Sequence, residues 1–113
     1  MAMVCRVSSS PTHSLATVIK LAKSGPREMT ESARRTALTE LGLDRAGVFA
    51  AVALLTEGDF YKTMESETFP GRFQDVYRPV VVCPLHPAGV QVYCKVQLAG
   101  AVLVLSVISF KRK

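Results

Sequence analysis

The chain has 113 residues, of which 49% are hydrophobic and 20% charged, and it carries a net charge of +5. That size suits a single domain over 1–113, and that composition excludes an intrinsically disordered chain. The apolar runs 46–55 and 98–108 both fall short of the roughly 20 residues that cross a bilayer, so no membrane association is expected. Residues 1–10 lack the basic and apolar regions of a secretory signal and read as a loose tail, which points to the cytoplasm.

Three cysteines, Cys5, Cys83 and Cys94, stand far apart without histidine partners. That spacing does not suit a zinc site. Cys94 is expected in the core of a strand and the other two as incidental.

In chain order, Thr12 or Ser14 is placed to cap a first helix in which Leu15, Val18, Ile19 and Ala22 recur at helical spacing, ended by Gly25-Pro26. Thr30-Glu31 opens a second, with Ala33, Ala37, Leu38 and Leu41 on one face and Gly42 as its stop. Asp44 caps a third, from Arg45 to about Thr56, apolar nearly all round and therefore expected to be buried.

After Gly58 the pattern alternates and turns to valine and aromatics, which predicts strands at 59–65, 72–82, 90–98 and 102–111. The segment 83–89 is expected as a loop and Ala99-Gly100 as a tight connection. Helices followed by an antiparallel meander give an α+β fold, with the helices packed on one face of the sheet.

Alternation also assigns the faces. Gln91, Tyr93, Lys95 and Gln97 lie opposite Val92, Cys94 and Val96. Gln74, Val76 and Arg78 lie opposite Phe73, Asp75 and Tyr77, and Ser109 and Lys111 lie opposite Ile108 and Phe110. From Gly71 onward six basic residues (Arg72, Arg78, Lys95, Lys111, Arg112 and Lys113) face one acid, Asp75, so this last third carries the whole net charge. A face bearing Gln74, Arg78, Tyr93, Lys95 and Lys111 suits a polyanion, with RNA the leading candidate.

RNA cleavage without a metal needs a base for the 2′-hydroxyl, an acid for the departing 5′-oxygen, and cations for the developing charge. An amide, a phenol and several lysines suit those tasks. The carboxylates of the strand half (Glu57, Asp59, Glu65, Glu67 and Asp75) show no ligand spacing, so neither a metal nor any other cofactor is expected. His13 and His86 invite histidine chemistry, but they lie in the N-terminal segment and a loop.

The stretches Asp59-Phe60-Tyr61-Lys62, Gln74-Asp75-Val76-Tyr77-Arg78-Pro79, Val92-Tyr93 with Lys95, and Ser109-Phe110-Lys111 occur in this order. Together with Pro11-Thr12-His13 and Glu40-Leu41-Gly42-Leu43-Asp44 they resemble the successive motifs of the motility quorum-sensing regulator (MqsR) family of toxins. The resemblance implies a fold like the RelE-type ribonuclease toxins and cleavage of single-stranded mRNA at short GC-containing triplets, with growth arrest. It also implies an MqsA-type antitoxin partner with a zinc-binding module and a helix-turn-helix domain. The positions matching the family's active site are Lys62, Gln74, Tyr93 and Lys111; Arg78, Tyr77 and Lys95 are expected to bind substrate. The chain departs from the family pattern at 83–89 and 97–102, where it is longer.

Two other classes compete. A small DNA-binding regulator would use helices 31–41 and 45–56, yet after Arg45 the second is almost wholly Ala, Val, Phe and Leu, which cannot read base edges. A non-catalytic RNA-binding module would stack bases on Tyr61, Tyr77 and Tyr93.

Overall fold

Three side chains start the helices. In the computed structural model, which describes residues 7–8 and 10–113, Ser14, Thr30 and Asp44 accept hydrogen bonds from the backbone N–H groups of Thr17, Ala33 and Gly47. They open α1 (Leu15–Ser24), α2 (Glu31–Thr36) and α3 (Arg45–Val52). α2 continues as a π-helical turn over Ala37–Leu41, which Gly42 ends at φ 74°.

Both later helices depart from expectation. Ala33, Ala37 and Leu41 are buried, but Leu38 is 50% exposed, because the wider turn rotates it off the apolar stripe. α3 ends at Val52 rather than near Thr56, and although Val48, Phe49, Val52 and Leu55 are buried, Leu54 is 79% exposed. The all-round apolar pattern of this segment overstated its burial.

The strands are β1 (Val7–Ser8), β2 (Arg27–Met29), β3 (Phe60–Glu65), β4 (Phe73–Tyr77), β5 (Val80–Cys83), β6 (His86–Ala99) and β7 (Val104–Arg112). Six of them form a sheet in the order β1-β3-β4-β6-β7-β2, with β5 pairing the outer part of β6. β2 runs parallel to β7 and the other pairs are antiparallel, so the sheet is mixed rather than a pure meander. The protein is α+β.

Four further expectations are corrected. Val7–Ser8, assigned to a loose tail, pairs with Met64 and Thr63 of β3. The strand expected over 72–82 divides into β4 and β5 at Arg78-Pro79, where proline lacks the N–H a continuous ladder requires. The segment 83–89 is a hairpin closed by Pro84-Leu85, and it docks on the end of the second helix through Leu85 N–H to Leu41 C=O (3.3 Å) and the His86 ring to Glu40 C=O (3.0 Å). Cys83 is buried in the core instead of incidental, and Cys94 is fully buried as expected; Cys5 lies outside the described residues.

The core lies between the helices and one face of the sheet. It joins Val18, Leu41, Val48, Phe49 and Val52 from the helices to Tyr77, Val92, Cys94, Val96, Leu105, Val107 and Phe110 from the strands. At its margin the carboxylate of the fully buried Asp75 accepts from the backbone N–H groups of Thr12 (2.9 Å) and His13 (2.8 Å). Thr12 Oγ1 also lies 2.8 Å from Thr63 Oγ1, and His13 Nε2 2.9 Å from the Phe73 carbonyl. These bonds strap the segment before α1 across β3 and β4. Asp75→Ala strands two N–H groups and should lower stability by about 2–3 kcal/mol in urea unfolding; a cost below about 0.5 kcal/mol would show that other contacts hold the strap.

Candidate active face

With helices covering one side of the sheet, the opposite side remains open. Cross-strand pairing places Lys62 beside Val76, Val76 beside Lys95, and Lys95 beside Ser109, in one row across β3, β4, β6 and β7. One step along, Tyr93 pairs with Lys111. Neighbouring strands stand about 4.8 Å apart, so these side chains share one surface. The amine of Lys111 lies 5.5 Å from the centre of the Tyr93 ring, and that of Lys95 lies 6.0 Å from it.

Two bulges tune the arrangement. In β3 the register shifts between Phe60 and Lys62, and Tyr61 is the extra residue. Its ring is half-exposed, with the Arg78 guanidinium 4.2 Å and the Lys62 amine 5.4 Å from its centre. Between β6 and β7 the register shifts after Lys95, leaving Ile108 as the extra residue. Gln74 is nearly buried, and its amide nitrogen donates to Gln97 Oε1 at 3.1 Å.

The structure thus brings Lys62, Gln74, Arg78, Tyr93, Lys95 and Lys111 onto one face and leaves Tyr77 out. Tyr77 is fully buried among core residues, its ring edge-on to Phe60 at 5.6 Å, and so it cannot stack on RNA. Alternation along β4 sends it to the side of Asp75, away from Gln74. Neither histidine joins the face: each holds Nε2 against a backbone carbonyl, His13 at Phe73 and His86 at Glu40. Tyr61 and Gln97 have gained importance. Alternation already put Gln97 on this side; the bulge that presents Tyr61 left no mark in the sequence pattern.

The protonation states follow from burial. Burial first, and the neighbouring Tyr61 second, hold the Tyr93 phenol above its ordinary value, so at neutral pH it carries its proton. Lys95 is pulled below the usual lysine value, chiefly by burial and further by Lys111 and Lys62, with Glu67 opposing. Among the described residues no three of His, Cys, Asp or Glu gather closely enough to hold a metal ion, and no helix is long and apolar enough to cross a membrane.

An α+β protein with helices behind a sheet, and with an amide, a phenol and a group of lysines on the open face, has the make-up of a small toxin that acts on RNA. The family described as "Motility quorum-sensing regulator, toxin of MqsA" matches residues 10–112. The mRNA interferase toxin MqsR of Escherichia coli (strain K12) is 38% identical over 104 residues, which span 92% of this chain and 96% of that protein. The chain belongs to the MqsR toxin family.

Tyr77 supplies a check on the assignment of the tyrosines. Its hydroxyl is buried without a hydrogen-bond partner among the described residues, and burial pushes its pKa up to about 12, with Asp75, Cys94 and Glu57 adding to the shift. The folded chain then keeps a proton that the unfolded chain releases near 10, so stability falls as pH rises from about 10 towards 12. Tyr77→Phe should therefore be neutral or slightly stabilising at pH 7 and should flatten that alkaline loss; urea midpoints from pH 8 to 11 measure both. A large loss of stability at pH 7 would mean that the hydroxyl has a partner.

Proposed function

We propose that this chain is the toxin of a toxin–antitoxin pair, an endoribonuclease that cleaves single-stranded mRNA on its open sheet face without a metal. The observation that carries the reading is Tyr93, a neutral phenol with the amines of Lys95 and Lys111 within about 6 Å of its ring, on a surface the helices leave uncovered. In this reaction the 2′-hydroxyl attacks its own phosphodiester and the 5′-oxygen departs. Tyr93 protonates the departing oxygen, while Lys62 and Lys111 stabilise the charge that develops on the phosphorane.

The amide of Gln74 is held by Gln97 and has hydrogen-bonding capacity left for the phosphate. Arg78 and Lys95 flank the path of the RNA backbone, and Tyr61, beneath Arg78, offers a ring on which a base can stack. The likeness to the family adds cleavage at short GC-containing triplets and growth arrest. It also adds an MqsA-type antitoxin with a zinc-binding module and a helix-turn-helix domain. The longer segments 83–89 and 97–102 are where triplet choice and antitoxin fit would depart from those of relatives.

Purified protein incubated with single-stranded RNA in EDTA should cut it and leave 2′,3′-cyclic phosphate and 5′-hydroxyl ends. Tyr93→Phe should lower the rate by about 10²–10⁴-fold while RNA binding persists. Chelator-sensitive cutting with 5′-phosphate ends would sink the mechanism, and binding without any cutting would make the chain a non-catalytic RNA-binding module.

The C-terminal cations separate chemistry from charge. Lys111 pairs with Tyr93, whereas Arg112 pairs with the core residue Val92 and its backbone N–H donates to Glu40 Oε1 at 3.0 Å. Lys111→Ala should abolish cleavage at every salt concentration. Arg112→Ala and Lys113→Ala should only weaken binding, each lowering the salt slope by at most about one unit. Equal, salt-dependent losses from all three would reduce the tail to an electrostatic patch.

A further inference from the structure

Three lysines share the open face, and the reaction makes opposite demands on them. Those that stabilise the phosphorane must be charged, whereas an amine that takes the hydroxyl proton must be neutral. Their surroundings differ in the matching direction. Lys111 is exposed near the end of β7, and Lys62 lies on β3, one strand from the sheet's edge, with its amine against the half-exposed Tyr61 ring. Lys95 is half-buried on β6, between β4 and β7, with the fully buried Val76 on one side and Ser109 on the other. Lys62 stands beyond Val76 in the same row, and Lys111 lies diagonally across from Lys95, so both neighbouring charges repel a proton on Lys95.

We propose that Lys95 is the general base, a role beyond binding the backbone, and that its amine takes the proton of the 2′-hydroxyl while Lys62 and Lys111 hold the phosphate. This rests on the reading of the face as the site of RNA cleavage. The charged and titratable groups that act on Lys95 are Lys62 from β3 and Glu67 from the turn after it, Tyr93 on its own strand, and Lys111 on β7, with Tyr61 and Arg78 beyond Lys62 and Tyr93 on the same face. Only Glu67 among them favours the protonated amine, and the direction in which Lys95 is shifted agrees.

The proton balance closes within the pair. The 2′-O–H bond breaks with its proton going to Lys95 Nζ, the O2′–P bond forms, the P–O5′ bond breaks, and O5′ takes the proton of Tyr93. An ammonium and a phenolate remain on neighbouring positions of one strand, with the amine 6.0 Å from the ring centre, and proton transfer between them through solvent restores both.

The test is Lys95→Arg, which keeps the cation but cannot act as a base near neutral pH. Single-turnover cleavage of one RNA is followed from pH 6 to 10, with circular dichroism confirming that each variant is folded. For the unsubstituted chain the rate should rise with pH to a midpoint below the ordinary lysine value. Lys95→Arg should lose about 10²–10⁴-fold and lose that rise. Lys62→Arg and Lys111→Arg, whatever their rates, should keep it. Lys95→Ala should recover with added methylamine in proportion to the free base.

A normal rate and pH profile in Lys95→Arg would overturn the proposal, as would rescue that follows methylammonium instead of methylamine. Gln74→Ala and Tyr93→Phe run in the same assay separate the two levels of the argument. If neither lowers the rate, the reading of the face fails; if both do and Lys95→Arg does not, only the role of Lys95 falls.

Discussion

The pairing of β6 with β7, and the single extra residue within it, decides which side chains meet on the open face. Along β7 the buried residues are Leu105 and Val107, then Phe110. Under strict alternation Leu105, Val107, Ser109 and Lys111 would share one side, and Lys111 would point into the core. Ile108 bulges out of register between Val107, which pairs with Val96, and Ser109, which pairs with Lys95. Beyond that point the parity reverses, so Phe110 enters the core and Lys111 emerges beside Tyr93. One additional residue thus lets the strand bury Leu105, Val107 and Phe110 and still deliver a lysine to the opposite face.

Much of this was legible because it is local. Ser14, Thr30 and Asp44 cap their helices as their side-chain oxygens and sequence context require, and Gly42 takes the left-handed stop. Alternation in β6 correctly separated Tyr93 and Lys95 from Val92 and Cys94, and in β4 it set Tyr77 with Asp75, where its burial keeps it off the open face. What escaped was tertiary in origin. β1 and β2 have two and three residues, too few to show a period, and they exist because β3 and β7 offer them edges. The π-turn that exposes Leu38, the early end of α3 and the bulge at Tyr61 likewise follow from packing, to which neither propensity nor period refers.

The back of the sheet bears on the front through the strap on Asp75. Thr63 Oγ1 donates to the Gln74 carbonyl at 3.2 Å, the His13 ring meets the Phe73 carbonyl, and the Asp75 carboxylate holds the N–H groups of Thr12 and His13. The backbone on both sides of Gln74 is therefore fixed by groups on the helix side, while the Gln74 side chain is fixed on the open side by Gln97. Preorganisation of this kind places an amide without help from substrate, and the cost of ordering it is met during folding.

The proposed acid and base draw on the same burial from opposite directions. Removing water disfavours whichever form of a group is charged, so it raises a phenol and lowers an amine. Tyr93 and Lys95 sit two residues apart on one face of β6 and are shifted in those two directions, each with burial as the first cause. In water an amine with a pKa near 10.4 and a phenol near 10 give mainly ammonium and phenol at neutral pH, a pair with an acid but no base. On β6 the half-buried amine is shifted below the ordinary lysine value and the phenol above its own, the directions that the proposed base and acid require. Lys111 at the exposed end of β7 and Lys62 on β3 both add to the downward shift of Lys95, while Glu67 opposes it, so the arrangement of cations around β6 works in the same direction as its burial.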